Sequence, residues 1–195
     1  SINSTVRANP SYGQSIVSWT GDGGTGTVGH GLTSAPELWI TKDRASADNW
    51  LTFFTVVDGS LDAANLNLTN AASSGSVSLP TSSVFTNDGY TNSQNLITYC
   101  FHSVTGYSKI GSYTGDATTN NSKSVTVGFQ PAFLMVKKSN GTGNWVMVDN
   151  TRNPNVDDID LYVKADTSDA EATQSGNLFK FTSTGFTIGA NLGDV

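Results

Sequence analysis

Apolar side chains in this sequence occur in short runs, and many of these runs alternate with polar side chains at every second position. Gly, Asn, Asp and Ser separate the runs, and patterns with the period of a helix are nearly absent. An alternation of two is typical of a strand that packs one face against a core. The sequence therefore predicts an all-β protein.

The runs define two sets of predicted strands. The first set is Ser15–Thr20, Leu38–Lys42, Trp50–Val57, a short strand near Val77–Leu79, Val84–Thr86 and Leu96–Ser103. The second set is Lys109–Tyr113, Phe133–Lys138, Trp145–Asp149, Leu161–Lys164, Leu178–Thr182 and Phe186–Ile188. The strands that begin at Leu38 and Phe133 are apolar at nearly every position, as expected for strands buried on both faces. We therefore expect both to lie at a packed centre.

The two sets belong to an internal repeat. Pro36–Trp50 aligns without a gap on Pro131–Trp145. Two shorter matches flank this one with nearly the same spacing. They join Ser18–Asp22 to Ser112–Asp116 and Phe85–Tyr90 to Phe181–Phe186. A repeat of this length predicts two small β-domains.

The repeat sets the predicted domain boundaries and the predicted architecture. Residues 1–11 form an N-terminal extension, residues 12–105 the first β repeat and residues 106–195 the second. Short strands with turns between them favour two tandem, similar antiparallel β-sandwich or jelly-roll-like repeats. The alternative is one sandwich with internal pseudo-symmetry, to which each repeat contributes half.

One strand of the first repeat has no counterpart in the second. The first repeat continues through the apolar run Leu96–Phe101, whereas the second reaches Val195 before an equivalent run. Either the gene product continues beyond Val195, or a neighbouring subunit fills the vacancy, because an open apolar edge invites strand addition. Both alternatives predict that the chain does not work as a lone monomer.

Charge and hydropathy restrict the partners. The formal net charge is −6, the pI is about 4.6 and only 13% of the residues are charged. Nucleic acid is not expected as a partner, because binding to its phosphates requires clustered Lys and Arg. Membrane insertion is not expected either, since no apolar run approaches the roughly 18 residues of a spanning helix.

Motifs that carry chemistry are weak. Gly21–Gly26 has the glycine spacing of a dinucleotide loop, but Gly and Pro residues follow it where that loop requires a helix. His30 and His102 belong to no zinc motif, and Cys100 lies in an apolar strand where a buried, inert thiol is expected. The sequence therefore predicts no catalytic residues, no metal and no cofactor.

The densest group of carboxylates is Asp157, Asp158 and Asp160. Ca²⁺ binds several such oxygens at once, so these residues are a weak calcium candidate. The group lacks the spacing of a calcium-binding loop, and a solvated acidic loop is the favoured interpretation.

Aromatic residues are the remaining candidates for ligand binding. Trp39, Tyr107 and Tyr113 are candidate glycan-binding residues, since exposed rings stack on sugars. Other residues recur at equivalent positions of both repeats and are interpreted as core anchors. They are Trp50, Trp145, Pro36 and Pro131.

Several strings of the chain are similar to those of one known family. They are Tyr99–Phe101, Gly106–Gly115, Gly128–Phe133, Thr151–Pro154, Thr27–Leu32 and Ala35–Pro36. These strings resemble a domain of unknown function that recurs in virion and tail-fibre-like proteins of marine bacteriophages, including those of cyanobacteria. The resemblance covers nearly the whole chain, and Gly106–Gly115 is its most specific part.

The resemblance implies a non-enzymatic virion protein, located in the extracellular particle as a tail fibre, spike or surface appendage. Its implied partners are other virion proteins and further copies of itself, with a trimer as the expected symmetry. Assembly is the first implied role, and attachment to the host surface is the second. The alternatives are a carbohydrate-binding adhesin module that holds a host glycan and a capsid decoration protein.

Overall fold

Alternation of inward apolar and outward polar side chains builds most of the strands, as β2 shows with its buried Ser15, Val17 and Trp19. The computed structural model describes residues 1–88, 93–115 and 123–189. It is all-β, with 42% of the residues in strands and 2% in helices, which confirms the predicted class. The chain divides into two compact units. The first is Ser1–Leu66 with Ala72–Ser112, and the second is Asn67–Ala71 with Tyr113–Val195.

The first unit contains a seven-stranded antiparallel sheet in the order β1-β2-β9-β4-β5-β6-β7 and a two-stranded pair of β3 and β8. A 3-10 turn, Pro10–Tyr12, joins β1 to β2. Its strands are β1 (Ser4–Asn9), β2 (Gln14–Thr20), β3 (Thr27–Gly29), β4 (Leu38–Asp43), β5 (Leu51–Phe54), β6 (Asp62–Asn65), β7 (Ser73–Ser74), β8 (Val84–Thr86) and β9 (Asn95–Phe101).

The core of the first unit lies between the inner face of this sheet and the β3-β8 pair. The Trp39 ring stacks on Phe53 at 5.1 Å and on Phe85 at 6.4 Å between ring centroids. Leu96 and Cys100 of β9 are fully buried in the same cluster. The expected packed centre at Leu38 is thus present, because β4 has a strand on each side.

The second unit contains two antiparallel sheets in its described part, β11-β12-β13-β14 and β10-β16-β15. Both contribute to one core, in which Val136 and Val148 of the first sheet meet Phe181 and Phe186 of the second. Its strands are β10 (Lys123–Thr126), β11 (Phe133–Lys137), β12 (Trp145–Asp149), β13 (Leu161–Lys164), β14 (Ala172–Thr173), β15 (Phe179–Thr182) and β16 (Gly185–Ile188).

The β4-β5 hairpin and the β11-β12 hairpin have the same register. Leu38 pairs with Phe54, and Phe133 pairs with Asp149, so both partners are displaced by 95 residues. The hydrogen bond that closes the first ladder, from Thr55 N to Glu37 O at 3.1 Å, recurs with the same displacement from Asn150 N to Ala132 O at 2.9 Å. The gapless sequence match therefore corresponds to matching backbone geometry.

The next strands also correspond, with a displacement of 99 residues. Asp62 pairs with Ser74 across β6 and β7, and Leu161 pairs with Thr173 across β13 and β14. The backbone bond from Leu66 N to Trp50 O, 2.9 Å, has its counterpart from Ala165 N to Trp145 O, 3.0 Å. The two units thus share a four-strand meander.

The predicted match of Phe85–Tyr90 to Phe181–Phe186 is wrong where it can be tested. Val28 pairs with Phe85 in the first unit, and Val125 pairs with Phe186 in the second. The counterpart of β8 is therefore β16, and β15 is an additional strand. The second copy contains two Phe-Thr pairs, Phe181-Thr182 and Phe186-Thr187, and the sequence match aligned Phe85-Thr86 with the earlier of the two. Four positions that belong to the predicted repeat lie outside the described residues: Gly89, Tyr90, Asp116 and Val195.

Other local predictions also need correction. Val77–Leu79 is not a strand, and the short strand of that region is β7 instead. Lys109–Tyr113 is not a strand either, although it aligns with β2, because β2 depends on β9 as its ladder partner. The strand that begins at Phe133 was expected at a packed centre, but the Phe133 side chain is 56% exposed, because β11 lies at the edge of its sheet in the described part of the unit. The extension expected at residues 1–11 contains β1, which pairs along β2.

Candidate functional site

Trp39, the first candidate for glycan binding, lies in the core. Its side chain is 1% exposed, and its ring packs against the rings of Phe53 and Phe85. Stacking on a sugar requires an exposed ring face, which Trp39 does not have. The proposed glycan-binding role of Trp39 is therefore incompatible with the fold.

Tyr107 is exposed and lies beside a second tyrosine, Tyr12. The two side chains are 49% and 50% exposed, and their ring centroids are 4.7 Å apart at an angle of 53°. Tyr107 lies in a turn closed by hydrogen bonds to Val104 O, while Tyr12 ends the turn before Gly13, which has φ of 64°. We call Tyr12 and Tyr107 the tyrosine pair. Tyr12 is not among the residues predicted from the sequence, where its only signal is an aromatic side chain next to a turn glycine.

Tyr113 belongs to the core of the second unit. Its ring meets Phe186 edge to face at 6.0 Å, as the ring of Trp19 meets Phe85 at 5.9 Å in the first unit. Burial raises the pKa of Tyr113 to about 12. Its hydroxyl oxygen is buried and has no hydrogen-bond partner in the structure as described. A buried, unpaired hydroxyl costs free energy, so this atom requires an explanation.

The four residues interpreted as core anchors occupy similar environments in the two units. Pro36, Pro131 and Trp145 are buried, and Trp50 is half-buried. Trp50 and Trp145 each accept the closing backbone bond of the meander through their carbonyl oxygens. Their positions are those of structural residues.

The glycine-rich loop Gly21–Gly26 is fixed by a buried side chain of the first unit. Asn87 Nδ2 donates to Asp22 Oδ1 at 2.8 Å and to Gly24 O at 2.9 Å. The Gly24 N–H and the Asn87 bond lower the pKa of Asp22, which stays ionised at neutral pH. Strand β3 follows the loop where a dinucleotide site requires a helix, and a carboxylate in the loop repels phosphate.

The histidines and the cysteine are also engaged in the fold. His30 is fully buried, with Nδ1 accepting from Leu32 N–H at 3.1 Å and Nε2 lying 3.1 Å from Thr81 O. His102 Nδ1 lies 2.9 Å from Ser103 O. Burial raises the pKa of the Cys100 thiol to about 12, which makes it a poor nucleophile.

The three aspartates of the weak calcium candidate do not converge on one point. Asp157 and Asp158 are exposed, and Asp157 forms an ion pair with Lys180 at 2.6 Å. Asp160 is half-buried, and its backbone N–H donates to the Asn153 side chain. Across residues 1–88, 93–115 and 123–189, no group of three or more His, Cys, Asp or Glu side chains is arranged to hold a metal ion.

A family model described as a domain of unknown function, DUF7483, matches residues 1–194. The chain belongs to the DUF7483 family. Comparisons with curated proteins and with solved structures gave no match. In the described residues of this DUF7483 chain, no helix is long and apolar enough to cross a bilayer.

Asn153, in one of the strings that carried the resemblance, organises a loop of this DUF7483 domain. It is buried, and its Oδ1 accepts hydrogen bonds from Asp160 N and Leu161 N, both at 3.1 Å. Its Nδ2 donates to Leu161 O at 3.1 Å. Asn153 thus holds the start of β13, and Pro154 after it is compatible with the loop. The motif has a structural explanation that needs no ligand.

Two surface features can act on a partner. The tyrosine pair offers two exposed rings in the first unit, and β11 offers the edge of a sheet in the second. Exposed aromatic rings can stack on ligands, and the edge of a sheet can pair with a further strand.

Proposed function

We propose that the chain is a structural protein of a bacteriophage virion, located in a tail fibre, a spike or another surface appendage. Its function is assembly and attachment rather than catalysis. The family resemblance of the sequence supports the virion context. The all-β fold and the structural roles of Asn87, Asn153 and His30 support a non-enzymatic role.

The shared hairpin register is the observation that carries this proposal. The same meander occurs twice, with the same closing hydrogen bonds at Trp50 and Trp145. We infer that the two units are tandem copies of one antiparallel sandwich-like repeat. Repeated rigid β-units are suitable building blocks for an extended particle component, because each copy folds around its own core.

The working form is proposed to be a homo-oligomer, with a trimer as the expected symmetry, that contacts other virion proteins. A trimer has three times the 20.5 kDa mass of the chain. Mass photometry and sedimentation of the natural full-length gene product test this state. A strictly monomeric product contradicts the oligomer.

Immunogold labelling of purified phage particles tests the virion assignment. An antibody raised against the recombinant chain should label an appendage, and the same antibody absorbed with the chain should not. Labelling of the capsid shell would favour the decoration-protein alternative. Absence of label from intact and disrupted particles would contradict a virion role.

Carbohydrate binding is the second candidate, and the tyrosine pair is the observation that favours it. Two exposed rings 4.7 Å apart provide apolar faces next to hydroxyl groups, which is how aromatic residues bind sugars. Host surface polysaccharide should bind the chain, and Tyr107→Ala should weaken binding at least about tenfold. Phe133→Ala, which removes an equally exposed ring from the other unit, is the matched control. Equal binding by both variants, or no signal on a broad glycan array, excludes this role.

A further inference from the structure

Strand β11 presents backbone hydrogen-bonding groups at the edge of its sheet. Asn150 N donates to Ala132 O, so alternate residues beginning at Ala132 face β12. In an antiparallel ladder the backbone N–H and C=O of the intervening residues face away from the partner strand. The N–H and C=O groups of Phe133 and Met135 therefore lie at the outer edge of the sheet. In the described part of the second unit, β11 is the outermost strand at this side.

The first unit shows what occupies the corresponding edge. Strand β4 corresponds to β11, and its outer edge pairs with β9 along its whole length, from Leu38 opposite Phe101 to Asp43 opposite Leu96. Leu38 is half-buried there, whereas its counterpart Phe133 is 56% exposed. The same backbone edge is therefore covered in one unit and open in the other, as far as the structure describes them.

The Tyr113 hydroxyl, which has no hydrogen-bond partner among the described residues, is a second indication at the same edge. In the first unit the counterpart of Tyr113 is Trp19, whose indole Nε1 donates to Thr98 Oγ1 of β9 at 2.9 Å. Tyr113 and β11 belong to one core cluster, and within residues 1–88, 93–115 and 123–189 the buried Tyr113 hydroxyl has no hydrogen-bond partner. A strand beside β11, placed as β9 is beside β4, would bring its Thr98 equivalent opposite Val136.

We propose that the outer edge of β11, together with the Tyr113 hydroxyl, is a docking site for an extended peptide segment that adds one antiparallel strand to the β11-β14 sheet. Its register follows β9, with the Tyr99 equivalent opposite Met135. The segment carries a small apolar residue opposite Leu134, as Cys100 is opposite Trp39. Opposite Val136 it carries a hydroxyl or amide side chain, and the hydrogen bond of this side chain to Tyr113 forms when the Tyr113 ring rotates from its buried position toward the added strand.

Strand addition explains why the chemistry of the occupant is restricted. Main-chain hydrogen bonds supply affinity for an extended segment, while the pockets for alternate side chains supply selectivity. A segment with an apolar residue opposite Val136 would leave the Tyr113 hydroxyl buried and unpaired, which is unfavourable. The occupant is thus a peptide strand with the alternation of β9 and not a glycan or a metal ion.

A synthetic peptide with the sequence of residues 95–101, carrying Cys100→Ala and terminal lysines for solubility, is the probe. Titrated into the ¹⁵N-labelled full chain, it should shift the amide resonances of Phe133–Lys137 and leave those of Leu38–Asp43 unchanged. N-methylation of the peptide at Tyr99, whose N–H faces β11 in the proposed register, should weaken binding at least about tenfold. N-methylation at Thr98, whose N–H faces away, is the matched control and should leave binding within about twofold.

The Tyr113 contact has its own test. Replacing Thr98 of the peptide by Val should weaken binding to the native chain about three- to tenfold, the value of one hydrogen bond. The same replacement should have no effect on binding to the Tyr113→Phe variant. Tyr113→Phe removes an unpaired hydroxyl and should leave the free chain folded with at least native stability.

Three results would overturn the proposal. The first is absence of any shift at Phe133–Lys137 at millimolar peptide. The second is equal weakening by both N-methyl groups, which would show that no ladder forms. The third is concentration-dependent pairing of β11 with β11 of a second copy, detected by cross-linking through Met135→Cys, because it would replace the peptide by the chain itself.

Discussion

The indole Nε1 of Trp19 on β2 donates to Oγ1 of Thr98 on β9 at 2.9 Å, deep in the core of the first unit. Oγ1 of Thr41 on β4 lies 2.9 Å from the same hydroxyl oxygen. One threonine thus connects three adjacent strands through side chains, in addition to the ladders. A buried polar contact of this kind fixes which strands become neighbours, because every wrong pairing leaves these groups without partners.

Thr98→Val should lower the free energy of unfolding by about 1–3 kcal/mol, since it removes the acceptor of Trp19 and the partner of Thr41 while keeping the side-chain volume. Urea unfolding followed by tryptophan fluorescence measures the loss. Thr20→Val, at the exposed end of β2, is the control and should change stability by less than about 0.5 kcal/mol. An equal loss in the free energy of unfolding for both variants would show that the buried contact adds no measurable stability.

Asn153→Ala should destabilise the second unit by about 2 kcal/mol or more, because it leaves the buried N–H groups of Asp160 and Leu161 without their acceptor. Hydrogen exchange read by mass spectrometry should show faster exchange at β13 and unchanged exchange at β9. Asn155→Ala, an exposed neighbour in the same loop, should leave both regions as in the native chain.

Acid should destabilise the first unit through His30. Burial lowers the pKa of His30 below its ordinary value of 6.5, with a partial offset from the Thr81 bond and a further lowering by His102. The unfolded chain therefore takes up a proton at a pH where the folded chain does not. The free energy of unfolding should fall as the pH decreases below about 6.5.

Urea unfolding between pH 8 and pH 5 checks this sign. His30→Gln should be less stable at pH 8 but lose less of its stability between the two pH values. His102→Gln, which retains His30, should still show a lower free energy of unfolding at pH 5 than at pH 8. A native chain as stable at pH 5 as at pH 8 would contradict the prediction.

The Cys100 thiol should not react with Ellman's reagent at pH 8 in the folded chain, because burial excludes the reagent and keeps the thiol protonated. It should react at once in urea. Burial raises the pKa of this thiol from 9.0 to about 12, so between these pH values the thiol is ionised in the unfolded chain and protonated in the folded chain. The Cys100 thiol should therefore lower the free energy of unfolding as the pH rises from 9 to 12. Rapid reaction of the native chain would show that β9 opens readily.

The central strands of both meanders could be predicted from the sequence, because their apolar runs are long and bounded by turn residues. Val84–Thr86, Trp145–Asp149 and Leu161–Lys164 have the predicted bounds. Strand β6, with the sequence Asp-Ala-Ala-Asn, could not be predicted, since its residues have low strand propensity and it forms through its ladders to β5 and β7. Strand β1 was missed for a similar reason, as most of its side chains are polar and exposed.

The surface sites were less predictable than the fold. Tyr12 and Tyr107 are 95 positions apart in the sequence, and only the pairing of β2 with β9 brings their turns together. The apolar run at Phe133 resembles the run at Leu38, but the sequence pattern of a strand does not show how many other strands pair with it. The number of neighbours decides whether Phe133 is buried or exposed.

The position of β9 in the seven-stranded sheet has a consequence for biosynthesis. This strand is the last of its sheet to be synthesised, yet it lies between β2 and β4. At about 5–20 residues per second, the ribosome needs on the order of 4–16 seconds to proceed from the end of β2 to the end of β9. Until then the nascent chain holds two partial sheets with open edges, a state that chaperones recognise and that aggregates at high expression. A ribosomal stall before Phe101 would prolong the lifetime of this species, so the yield of folded protein should depend on translation speed across residues 20–101.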